Sequence, residues 1–134
     1  MKKSEFNKMI ILADQKLRAS NMFSKDDETI LKGYDGKTAA LSVSVAMSDI
    51  LPTLAIYYQD FDAQKPNKDC RRNVLNVVAT MINKPGEEDA KFSNAKDLVE
   101  YAVSCNANNL QYIKRQVIDC AIALKHVVRT YKLV

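Results

Sequence analysis

The chain has no tryptophan and, in 134 residues, only three glycines, three prolines, three cysteines and one histidine. Each shortage excludes something. A sheet-rich fold needs many turn residues, so this scarcity of glycine and proline points to an all-α domain. Three cysteines, Cys70, Cys105 and Cys120, form no even set and show no paired metal-ligand spacing. They read as reduced, buried thiols, and the expected compartment is the cytoplasm. With His126 as the lone histidine, a histidine-based catalytic set has a single candidate. On a helix, His126 and its nearest thiol, Cys120, project about 120° apart and cannot form a local nucleophile–base pair. No glycine-rich phosphate loop is present, so no catalytic residue and no cofactor is assigned. The start of the chain carries Lys2 and Lys3 but no apolar run before a cleavage-like site, so no signal peptide is expected.

The length predicts one domain over residues 1–134, a compact bundle of about six helices. Its centre is Thr38 to Tyr58, the longest apolar run, with Asp49 as its one charge. Pro52 breaks this run into two helices meeting at a corner, Lys37 to Ser48 and a second starting at Pro52 with Asp49 as its cap. A charge near the middle and Ser42, Ser44 and Ser48 argue against a membrane span.

Around this corner, the spacing of apolar residues predicts an amphipathic helix from Ser4 to about Ser20, carried by Phe6, Met9, Ile10, Ala13 and Leu17. Ser24 to Lys32 opens with an acidic cluster suited to a helix N-terminus. Gly33 and Gly36 loosen the chain before the central pair. Residues 59–69 form a loop in which Asp60-Phe61-Asp62 lacks the further ligands and glycine of a calcium site. A helix starting at Asn67 or Asp69 follows, with Cys70, Val74, Leu75, Val77, Val78, Met81 and Ile82 inward. After a loop with the exposed acids Glu87, Glu88 and Asp89, Ser93 or Asn94 caps a short helix with Ala95, Leu98, Val99, Ala102 and Val103 inward. Leu51, Leu54, Val74, Val78, Leu98, Val117 and Leu124 are the expected core. The six tyrosines fall mostly at core-facing spacings, which favours packing over a base-stacking platform.

Net charge is +4, and it is unevenly placed: +2 over residues 1–33, −2 over 34–66 and +4 over 67–134. The last helix, about Asn109 to Lys132, gathers Lys114, Arg115, Lys125, Arg129 and Lys132 into one sector of roughly 100°, with Ile118 and Ile122 among them. Arg71 and Arg72 stand at the start of another helix, where cations are disfavoured unless an anion is met. These seven cations are the candidate RNA-binding residues; the structural alternative is a solvated face.

The string Met47-Ser48-Asp49-Ile50-Leu51-Pro52-Thr53-Leu54-Ala55-Ile56-Tyr57-Tyr58 resembles the signature of the small subunit of Cmr-type (type III-B) CRISPR effector complexes. Tyr34, Gly36 and Ala39-Ala40 stand where that family has a tyrosine and glycine leading into a small-residue helix. Asp49 departs from the glycine usual there. The tail Leu124-Lys125-His126-Val127-Val128-Arg129 resembles the family's basic C-terminal helix, with His126 at the tryptophan position. Together these cover about half the chain. The resemblance implies a non-catalytic helical subunit that contacts the RNA backbone in antiviral defence. It implies other Cmr subunits, guide RNA and target RNA as partners, and self-association along the complex. It implies no membrane and no metal, with cleavage left to other subunits. Without the resemblance two other functions stand beside it: a helical adaptor whose basic sector meets an acidic protein, and a small hydrolase using carboxylates such as Glu87 or Glu88.

Overall fold

The computed structural model describes residues 2–87 and 89–134. Six helices follow one another: α1 (Lys3–Arg18), α2 (Gly33–Ser48), α3 (Ile50–Gln59), α4 (Arg71–Met81), α5 (Ala95–Ser104) and α6 (Ala107–Val128). Three strands of two residues each accompany them: β1 (Phe23–Ser24), β2 (Thr29–Ile30) and β3 (Lys132–Leu133). The expected helical bundle is therefore found, with a minimal sheet added at one edge.

That sheet corrects the reading of Ser24 to Lys32 as a helix. β1 and β2 pair antiparallel, Phe23 opposite Ile30 and Ser24 opposite Thr29. The Ser24 hydroxyl hydrogen-bonds the Asp27 carboxylate at 3.1 Å, and Glu28 takes a left-handed φ of 54°, so the acids close a turn instead of opening a helix. Buried Phe23, Thr29 and Ile30 flank this turn, and such side chains favour strands. β3 joins β2 in parallel, Leu133 opposite Ile30.

α6 is the axis of the bundle, packed against α1, α2 and α4. Its inward side chains Ile113, Val117, Cys120, Ala121, Leu124 and Val128 are almost wholly buried. α2 contributes Tyr34, Leu41 and Val45, and α4 contributes Val74, Leu75, Val77 and Val78. Gly33 and Gly36 belong to the first turn of α2 instead of loosening the chain before it. Val103, expected inward, is 67% exposed on α5.

The second helix of the corner starts two residues earlier than expected. α3 begins at Ile50, so Pro52 is its third residue, where a missing N–H costs no intrahelical bond. This turns Ile50 into the core and leaves Leu51 38% exposed, which corrects its place among the core residues. Asp49 makes the bend, with φ 73° and ψ 170°, a region that L residues other than glycine rarely occupy. Its side chain offsets the strain by accepting from the Ile50 N–H at 2.7 Å, and its carbonyl accepts from the Thr53 hydroxyl at 2.9 Å. Glycine would remove the strain but also the cap. Alanine would keep the strain and lose the cap, so thermal unfolding should rank Asp49→Ala below Asp49→Gly. Equal melting temperatures would show that this backbone angle carries no cost.

Candidate nucleic-acid interface

The seven candidate cations do not form one free surface. α2 and α6 run antiparallel, and each end of the pair is closed by an ion pair. Lys114 Nζ lies 3.2 Å from Asp49 Oδ1, and Arg129 Nε donates to Asp35 Oδ1 at 2.8 Å. The matched lengths make this possible: Asp35 to Asp49 and Lys114 to Arg129 both span roughly 21–22 Å at 1.5 Å rise per residue. Two cations expected to face RNA thus hold the register of the two helices. The Ile50 N–H, and after it Lys114, hold the Asp49 carboxyl below the ordinary carboxylate range. The stability from this carboxylate is present above its unfolded pKa and is lost as the pH falls through its lower folded value.

Arg71 and Arg72 are engaged as well. Asp60 Oδ2 accepts from the Arg71 N–H at 2.9 Å and from its guanidinium at 3.2 Å. Those bonds, the backbone N–H first, lower the Asp60 pKa against a smaller opposing effect of desolvation. Arg72 donates to the Tyr58 carbonyl, and its guanidinium lies over the rings of Tyr58 at 4.1 Å and Phe61 at 4.7 Å. The anion that two cations at a helix start call for is Asp60 of the same chain, and the stacked arginine ties the 59–69 loop to α4.

Three candidates remain with no ion pair, side-chain hydrogen bond or ring partner among the described residues: Arg115, Lys125 and Lys132. Lys132 is not on the helix at all, because α6 ends at Val128 and the chain turns into β3. At 100° per residue, Lys125 projects between Lys114 and Arg129, on the rim shared with α2, and Arg115 marks the far edge of the sector. Ile118, between them, is half-buried against the core.

The rest of this face is apolar. From Thr38 to Ser48, α2 has no charged residue, yet Val43 is 54% and Met47 82% exposed. Sequence reasoning missed Asp35 and Asp49 as counterions. The available signal was two acids, one in the first turn of α2 and one just past its end, spaced like two cations on another helix. His126 is exposed, its ring edge-on to Phe6 of α1 at 5.7 Å. Of the acidic loop, Glu87 and Asp89 are exposed, and Glu88 lies outside the described residues. Among the described residues, no three His, Cys, Asp or Glu side chains are grouped to hold a metal ion. No helix among them is long and apolar enough to cross a membrane.

No family model matches this sequence, and no curated protein matches it. A solved structure is similar: the crystal structure of a CRISPR-associated Cmr5 family protein from Thermus thermophilus. The two chains are 16% identical and superpose with a TM-score of 0.68, covering 98% of this chain and 99% of that one. The likeness shows a shared fold along nearly the whole chain.

Proposed function

We propose that this chain is a non-catalytic small subunit of a type III-B CRISPR (Cmr) RNA-guided complex, contacting neighbouring subunits and the RNA backbone. The observation that carries this reading is the match in fold to a Cmr5 family protein over almost the full length of both chains. The corner supports it independently. The motif at Asp49 to Tyr58 resembles that family's signature, and it begins where the backbone needs a residue tolerant of positive φ. Guide, target and the other subunits supply sequence specificity and cleavage in this reading, and this chain adds phosphate contacts that position without specifying.

Arg115 and Lys125 are the first choices for those contacts, because neither is held in an ion pair among the described residues; Lys132 is a third on a different element. Lys114, Arg129, Arg71 and Arg72 contribute only by exchanging an internal partner for a phosphate. In an assembled complex, Arg115→Ala with Lys125→Ala should weaken RNA binding. It should also flatten the dependence of log affinity on log salt by roughly 0.7 for each phosphate no longer neutralised. Arg129→Ala should flatten it less. Unchanged affinity and slope in the double variant, with assembly intact, would place the RNA surface elsewhere.

The tethering of so many cations favours one further reading, a helical adaptor without nucleic-acid binding. In that case the exposed, uncharged face of α2 around Val43 and Met47 meets a protein, and the salt series shows no RNA binding at all.

A further inference from the structure

Among the carboxylates that hold the candidate cations, Asp35 stands apart. Asp49 and Asp60 each accept from a backbone N–H, of Ile50 and of Arg71, as well as from their cation. Each therefore fixes the main chain. Asp35 lies in the first turn of α2, and its carboxylate has one hydrogen bond among the described residues, from Arg129 Nε at 2.8 Å. The pair is open to water, with the Asp35 side chain 31% and the Arg129 side chain 53% exposed. Ion pairs at such a surface add little to stability, so this one separates easily.

Arg129 is bound at one nitrogen. Its two terminal amino groups have no protein partner among the described residues. A guanidinium meets carboxylate and phosphate through the same N–H groups, so the two anions compete for it. Lys125, which has no ion pair, stands one turn before Arg129 on α6, and residues at that spacing are neighbours on a helix surface. The carboxylate has the advantage of attachment: an internal partner competes at an effective concentration on the order of millimolar or more. A dilute single anion does not match that. A strand already held at Lys125 does, because its adjoining phosphates are then also tethered.

We propose that Asp35 is an internal stand-in for phosphate, which keeps Arg129 closed to isolated anions and yields it to a single RNA strand that Lys125 already holds. The proposal rests on the reading of this chain as an RNA-contacting subunit and adds an order of engagement, Lys125 before Arg129.

Asp35→Asn leaves an oxygen to accept from Arg129 Nε and removes the charge that competes with phosphate. The test follows the Arg129 Nε–H signal of the ¹⁵N-labelled full chain at low salt, titrated with inorganic phosphate and with a short oligouridylate. In the unaltered chain the oligomer should move this signal saturably, and inorganic phosphate at the same phosphate concentration should not. Asp35→Asn should bind the oligomer several-fold more tightly. Its log affinity should also depend more steeply on log salt, by up to roughly 0.7, the share of one further phosphate. Asp35→Glu restores the charge and should restore the original affinity. Lys125→Ala should suppress the Arg129 response strongly in the unaltered chain and less in Asp35→Asn, since Arg129 then needs no help to be freed.

Inorganic phosphate moving the Arg129 signal as readily as the oligomer overturns the proposal, and that comparison needs no variant. So does unchanged or weaker oligomer binding by folded Asp35→Asn, the weaker case making Asp35 a positioning residue that orients Arg129. If either result comes with salt-dependent binding that Arg115→Ala with Lys125→Ala reduces, the RNA reading stands and the role of Asp35 alone falls. No salt-dependent binding of the oligomer by any of these chains removes both.

Discussion

Leu54→Ala should destabilise the protein by about 2–5 kcal/mol, the range for a buried leucine whose cavity cannot fully collapse. Leu54 is 1% exposed in α3, at the centre of the corner. Its neighbour Leu51 makes an internal control: it is 38% exposed, and Leu51→Ala should cost less than about 1 kcal/mol. Chemical denaturation with both variants reads the two losses on one scale. A loss below about 0.5 kcal/mol for Leu54, or losses of similar size at both positions, would mean that the bend at Asp49 does not set the register described here.

Cys120 should be inert to thiol reagents while the protein is folded. Burial, with a smaller contribution from Asp119, pushes its thiol pKa up to about 12, from 9.0 for a free side chain. At any pH below 9 this leaves roughly a thousandfold less thiolate than a free cysteine offers, and the thiolate is the reactive form. Cys105, half-buried after α5, should react first, and Cys120 only as the chain unfolds. Reaction of Cys120 at the rate of Cys105 in native buffer would show that α6 opens locally. The same shift fixes a pH effect. The folded pKa lies above the unfolded one, so the stability linked to this thiol is complete below about pH 9 and declines as the pH rises toward 12.

The bundle was legible in the sequence because its helices carry their own periodicity. The inward residues of α4, with Cys70 and Ile82 at its two ends, are all buried as their spacing implies. The central pair was legible because Pro52 cannot sit inside a continuous rod. Its register was not, because the break is made by the backbone of Asp49, and an aspartate does not announce a positive φ. The acidic run after Ser24 misleads for a related reason. Capping signals are local, whereas the strand pairing that overrides them depends on Lys132 and Leu133 at the other end of the chain. The basic sector of α6 was legible as an arrangement of charges on one helix. Its counterions Asp35 and Asp49 lie on another helix far away in sequence, and no spacing within α6 reveals them.

The place of α6 in the bundle also constrains how the protein is made. The helix on which α1, α2 and α4 all pack is the last of the six, and the sheet is completed by residues that follow it. Arg129 meets Asp35 across 94 positions, and Tyr131 meets Asp14 across 117. During synthesis at the ribosome, the inward faces of α1 and α2 therefore leave the exit tunnel long before the surface that covers them. The nascent chain carries those apolar faces unburied through most of its elongation, a period in which chaperone binding competes with aggregation.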